Sequence, residues 1–276
     1  MSEYLSSSKI STWDACKRKF YWTYEEGIEA KGDRTPQVMG RGWSHVLEHG
    51  ADSLDAFYAP YVEAATTMKD VDDIAHQQAV IRVLHDAYRL KHPVMEQREV
   101  AFNIEEDGFS THGYMDGILG NVIVEDKLLN GMFFGDAAVR ALALDLQTTH
   151  YIWAAKRHMG IDVSHLEYRV TIKPGIRRRT TRDPETANQF IDRLRSDVAA
   201  RPDHYFRHYH LFRSDEELDD HFLELQETAN TIEYTRSNQW WKKSRGQCGQ
   251  YGGCQFLPLC SSEEDAISLY QERTHR

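Results

Sequence analysis

The chain has 276 residues, 41% of them hydrophobic and 28% charged, the ordinary mixture of a globular protein with material for a sizeable core. A formal net charge of −10 excludes a protein that coats nucleic acid through global positive charge, though not one that holds phosphates along a local basic path. No apolar run reaches the roughly eighteen residues of a spanning helix. The opening MSEYLSSSKIS has neither a basic nor an apolar leader region, so the expectation is a cytoplasmic protein without a membrane partner.

In chain order, SSSKISTWDACKRKFYWTY offers serine N-caps and then Ile10, Trp13, Phe20 and Tyr24 near helical spacing. Gly40 to about Leu90 reads as helices. From Glu99 the pattern alternates through EVAFNIEEDGFSTHGYMDGIL, with Asp107-Gly108 as a turn, which predicts a β-hairpin. NVIVEDK predicts a further strand, Ala137 to Met159 a helix closed by Gly160, and LEYRVTIK another strand. Two helices follow, about Pro184 to Val198 and Asp215 to Thr235, and a loop-like tail. No linker divides the chain. The order predicts one α/β domain over 1–276, a mixed central β-sheet flanked by helices: a helical segment at 40–95, a core at 97–182, a second helical segment at 183–239, and ends at 1–30 and 240–276.

The chemistry concentrates in GYMDGILGNVIVEDKLL. Asp116 and Glu125 have eight residues between them, and the strands joined through Leu119-Gly120-Asn121 bring the two side by side, where they can share a hard divalent cation such as Mg²⁺ or Mn²⁺. Lys127 lies two residues beyond Glu125 and so on the same face, where an ammonium can orient a metal-bound water. Asp126 points the other way. The flanking residues are apolar, so these charges do not form a solvated face and need partners.

Asp116 with Glu125-x-Lys127 resembles the bipartite motif of the PD-(D/E)xK nuclease superfamily, and more narrowly its RecB-like branch. GRGWSHVLEHG is similar to that branch's upstream helix with a metal-binding histidine, here His45. Glu99 resembles its supporting acid before the motif, and LQTTHYIWAA its Gln-x-x-x-Tyr element, here Gln147 and Tyr151, one helical turn apart. Met115 stands where the proline of the superfamily's name would be.

The resemblance implies a restriction-endonuclease-like core and a Mg²⁺- or Mn²⁺-dependent deoxyribonuclease, exonuclease ahead of endonuclease. Asp116, Glu125 and Lys127 would be catalytic. His45, Asp116, Glu125 and the backbone carbonyl of Leu128 would bind metal, and Gln147 and Tyr151 would contact DNA, single-stranded or at ends. Lys127 would position a water that displaces the 3′-oxygen and leaves a 5′-phosphate. Lys173, Arg177, Arg178, Arg179 and Arg182 fall within ten residues and are the candidate phosphate path. DNA repair, recombination or phage DNA processing is the implied setting, with a bacterial or phage origin. A helicase, a recombinase or a single-strand-binding protein is the implied partner.

Four cysteines complete the reading. Cys248, Cys254 and Cys260 have five residues in each gap, and 231 residues separate Cys16 from the first of them. Four thiolates suit zinc or a four-iron four-sulfur cluster. The similarity to iron-sulfur nucleases, such as the AddB C-terminal domain, CRISPR adaptation exonucleases and phage-encoded relatives, implies a 4Fe-4S cluster joining the two ends. Two other readings stay open: a DNA-binding or scaffold module of a helicase or integrase complex, and a zinc-stapled RNA-processing nuclease.

Overall fold

The computed structural model describes residues 3–31, 35–95, 97–131, 134–250 and 253–273. The chain opens with β1 (Glu3–Leu5), α1 (Ser7–Ala15), α2 (Lys17–Phe20), a π-helical turn and β2 (Ile28–Ala30). The first helical layer follows as α3 (Thr35–His49), α4 (Leu54–Glu63) and α5 (Met68–Lys91). Thr67 and Asp70 form a reciprocal capping box that satisfies the first backbone donors of α5.

Then come β3 (Gln97–Glu106), β4 (Phe109–Leu119) and β5 (Val122–Asn130). Gly108 (φ 94°) and Gly120 (φ 59°) make the two turns in left-handed backbone that a side chain would strain. A crossover through α6 (Asp136–Ala141) and α7 (Leu146–Arg157) returns the chain to β6 (His165–Lys173), parallel to β5. The remainder is α8 (Ala187–Ala200), α9 (Pro202–Tyr205), β7 (Phe206–Leu211), α10 (Asp215–Ser237), α11 (Leu257–Ser261) and β8 (Tyr270–Glu272).

Six strands form one mixed sheet. β3 pairs along the length of β4, whose other edge is shared by β1 at one end and β5 at the other, and β6 and β7 complete the order. Helices α3, α4, α5 and α8 pack together and α1, α7 and α10 form a second group, with Trp43 and Trp153 among the largest fully buried side chains. The expected mixed sheet flanked by helices is thus present. β1, β7 and the β2–β8 pair were not expected: β1, β2 and β8 have three residues each, too few to show a period, and FRHYHL in β7 alternates without an apolar face. Strands β2 and β8 lie antiparallel and Arg18 N donates to Lys242 O, so the two chain ends do meet.

Candidate active site

Antiparallel pairing aligns Gly117 with Val124, and extending that register puts Asp116 opposite Glu125. On the other edge of β4, Arg98 pairs with Gly117 and Val100 with Met115, so Glu99 stands opposite Asp116 from its far side. Three acids therefore lie in a row across β3, β4 and β5. Glu99 adopts a left-handed backbone (φ 48°), a conformation costly for a residue with a side chain and concentrated at functional sites. At Gly117 a Cβ would meet Met95 Sδ at 2.0 Å and Gln97 O at 2.8 Å, so only glycine lets β3 close this tightly beside Asp116.

Glu125 is 1% exposed, and its Oε2 has no hydrogen-bond partner. Lys127 Nζ ion-pairs with its Oε1 and donates to Gln147 Oε1 (3.1 Å), and Gln147 Nε2 donates to Tyr151 OH (2.7 Å). This chain of contacts fixes the lysine between strand and helix α7. Asp116 Oδ2 accepts the backbone N–H of Asp126 (2.7 Å). Burial, then the neighbouring Asp116 charge, pushes the Glu125 carboxyl up to about 8, and Asp116 is raised by burial as well. Glu99 is raised by burial and by Asp116. Burial opposes the charge on Lys127, but Glu125 and Asp116 beside it hold its pKa above the usual lysine value. Two crowded acids that resist ionisation, against an ammonium that does not, make a cradle short of positive charge.

That cradle fits a divalent cation: the donors are hard oxygens, and one carboxylate oxygen is buried without a partner. His45 also has a buried, unpartnered Nε2, on α3 between the rings of His49 (4.6 Å) and Phe57 (5.0 Å). It does not join Asp116 and Glu125 within single-ion distance, because His92, Glu167 and His208 are the one set of three such donors drawn that close among the described residues. Leu128 is buried in register with Thr171.

The basic stretch is more self-satisfied than its sequence suggests. Arg177 pairs with Asp73 (3.0 Å) and Arg179 with Glu185 (3.4 Å), while Lys173 is partly buried and Arg178 and Arg182 are exposed. The iron-sulfur joining of the ends is not shown. Cys16, Cys248, Cys254 and Cys260 are free, half-buried and not gathered around a single point. They are nonetheless neighbours: Ser244 N donates to Cys16 Sγ (3.3 Å), Cys248 Sγ lies 4.0 Å from Ser244 O, and Cys254 N donates to Cys248 O (2.8 Å).

Sequence reasoning overlooked Tyr88 and Arg169, which answer the other carboxylate of the strand. Tyr88 OH donates to Asp126 Oδ1 (2.6 Å) and accepts from Arg169 Nη1 (3.0 Å). Arg169 is 2% exposed. A charged residue inside the otherwise apolar YRVTIK was the available signal, since a buried guanidinium demands an acid.

A mixed sheet carrying an acid, an acid-x-lysine pair and a glutamine-tyrosine helix on one face defines a nuclease-type phosphodiester hydrolase. The sequence signature of the PD-(D/E)XK nuclease superfamily matches residues 4–261, and the chain belongs to that superfamily, whose members use divalent metals. No curated protein matches the chain. Among solved structures, the “Putative exonuclease” from Eubacterium rectale is similar, with a TM-score of 0.60 and 16% identity over 95% of this chain and 88% of that one, a likeness of fold. No helix among the described residues is long and apolar enough to cross a membrane.

Proposed function

We propose that the chain is a Mg²⁺- or Mn²⁺-dependent deoxyribonuclease acting as an exonuclease on single strands or DNA ends, in repair, recombination or phage DNA processing. The observation that carries this reading is the buried Asp116–Glu125 pair with Lys127 held between Glu125 and Gln147. A cation held by Asp116 and Glu125, with the Leu128 carbonyl as a further donor and His45 as a ligand only once its ring moves in toward the two acids, would supply positive charge to the scissile phosphate and acidify a water.

The chain's own groups do the rest. Lys127 orients the attacking water and offsets charge growing on the phosphoryl oxygens as the 3′-oxygen leaves and the 5′-phosphate remains. Gln147 and Tyr151 hold the lysine on one side and the strand on the other. Glu99 keeps negative charge beside Asp116, and Lys173, Arg177, Arg178 and Arg179 guide the phosphates. The exonuclease preference takes support from the fold likeness alone.

The cysteines serve this enzyme as a 4Fe-4S staple joining 1–30 to 240–276 within one functional unit. Burial raises the Cys16 thiol, but backbone N–H groups of Ser244, Lys19 and Arg18 outweigh it and favour the thiolate that a cluster needs. Cys260 is raised by burial and feels the charges of Cys254 and Cys16, which puts three thiols in one neighbourhood. A four-iron cluster is wider than a single ion and fits thiols that do not converge on one point.

The test is anaerobic purification followed by digestion of 5′- and 3′-labelled single and double strands with Mg²⁺ or Mn²⁺. Metal-dependent release of nucleotides is expected, reduced by roughly 10²–10³-fold or more in Lys127→Ala that remains folded. Absence of cleavage of every DNA form with Mn²⁺ would favour the scaffold reading, and a colourless protein would favour zinc at the cysteines.

A further inference from the structure

Behind the catalytic face, three neighbouring strands align Asp126 with Arg169 and Arg169 with His208. Glu167 lies two residues before Arg169 and shares its face, and α5 lays Tyr88 over them, with His92 just past its end. Arg169 Nη2 donates to Glu167 Oε2 (3.0 Å), while His208 Nδ1 meets Glu167 Oε1 at 2.6 Å. The His92 ring packs on Tyr88 (4.1 Å between centroids) and on His208 (4.6 Å), and neither of its nitrogens has a hydrogen-bond partner among the described residues. One donor atom each from His92, Glu167 and His208 lies within 4.8 Å of the others.

We propose that His92, Glu167 and His208 form a second, structural metal site for a zinc-class divalent ion, separate from the Asp116–Glu125 cradle. Two imidazoles and one carboxylate are a borderline donor set of the kind Zn²⁺ takes, with a fourth position left to water. Bond lengths near 2.0–2.1 Å set tetrahedral donors roughly 3.3 Å apart, so the His208–Glu167 contact opens slightly and the remaining donors, already within 4.8 Å, draw in. The site is graded for entry, since His92 is buried while the His208 side chain is 29% exposed.

Its support is already in place. Arg169 holds the carboxylate oxygen that His208 does not, which orients Glu167 as an outer partner orients a metal ligand. Lys91, the other nearby cation, is paired with Asp203 (2.8 Å). An ion here would clamp the end of α5 to β6 and β7. Through Arg169 and Tyr88 the clamp would reach Asp126, whose N–H holds Asp116. The proposal stands whether or not the catalytic reading does.

The full-length protein, stripped with chelator, is titrated with Zn²⁺ and, as a coloured probe, Co²⁺. Bound metal is expected to fall by one ion per chain in His208→Gln. The lost cobalt spectrum should show ligand-field bands without thiolate charge transfer, and the melting temperature gained on adding Zn²⁺ should shrink in the variant. Glu125→Gln should keep this site. Equal uptake, equal spectra and an equal thermal response in wild type and His208→Gln would overturn the proposal and leave an ordinary ion pair. If His208→Gln does not fold, His92→Gln replaces it. X-ray absorption at the zinc edge of the loaded wild type then decides independently: nitrogen and oxygen neighbours are expected, and sulfur alone overturns it.

Discussion

The two faces of β5 carry consecutive acids with opposite fates. Glu125 points to the α7 side, crowded by Asp116 and answered by one lysine; its Oε2, like Asp126 Oδ2, has no hydrogen-bond partner. Asp126 points to the α5 side, where Tyr88 binds it and Arg169 backs Tyr88. Both are buried, yet only the first face is short of positive charge. A strand can place chemistry on one side and the structure that supports it on the other because its side chains alternate. Under the proposed function the chain uses three successive residues, Glu125, Asp126 and Lys127, to do both.

The comparison can be broken first on the supporting face. Tyr88→Phe removes a hydroxyl that donates to Asp126 and accepts from Arg169, leaving both without that partner in the interior. Stability should fall by about 1–3 kcal/mol in urea unfolding, with activity per folded molecule largely kept. An unchanged unfolding midpoint would show that the network does not hold the sheet.

A pH series sharpens the contrast. Glu125, pushed up to about 8, and Asp126, pushed up to about 7, are protonated more readily in the folded chain than in the unfolded one; in both, burial comes first and Asp116 next. Their contribution to stability is fully present below ordinary carboxylate pKa values of about 4 and is lost as pH rises through about 7 to 8. Glu167, lowered to about 2 by its bond to His208, acts oppositely, and only at far lower pH. The melting temperature of chelator-treated protein should therefore drop by a few degrees from about pH 6 to about pH 9, and Mg²⁺ should suppress the drop by replacing the proton at the cradle. A flat profile without metal would mean that the acids are already compensated.

The smallest expected effect lies outside both faces. Arg178 is exposed beyond the end of β6, so Arg178→Ala should weaken DNA binding evenly across sequences and lower the salt slope by about one. An unaltered slope would remove it from the phosphate path.

The geometry of the Asp116–Glu125 face was legible in the sequence because its information is local. A hairpin of known turn residues sets Asp116 beside Glu125, a period of two adds Lys127, and one helical turn joins Gln147 to Tyr151. The supporting face was not legible, since Tyr88 and Arg169 lie 81 residues apart and meet only when α5 packs on β6. Alternation alone predicted that Asp126 faces away, but its partners needed the fold. The left-handed backbone at Glu99 was equally silent, because no glycine marks it. At the ends, the cysteines announced themselves by spacing while the β2–β8 pairing that brings their segments together did not. The arginine count overstated the basic path, since Asp73 and Glu185 come from distant elements to neutralise part of it.

The central claim is that neighbouring acids on one strand divide chemistry from support, and a pair of isosteric substitutions tests it most directly. Cleavage rate and melting temperature are measured for Glu125→Gln and Asp126→Asn. Glu125→Gln should abolish cleavage, and Asp126→Asn should leave a folded protein that still cleaves. Loss of activity in Asp126→Asn with full cleavage in Glu125→Gln, or equal effects of both on rate and stability, would contradict it.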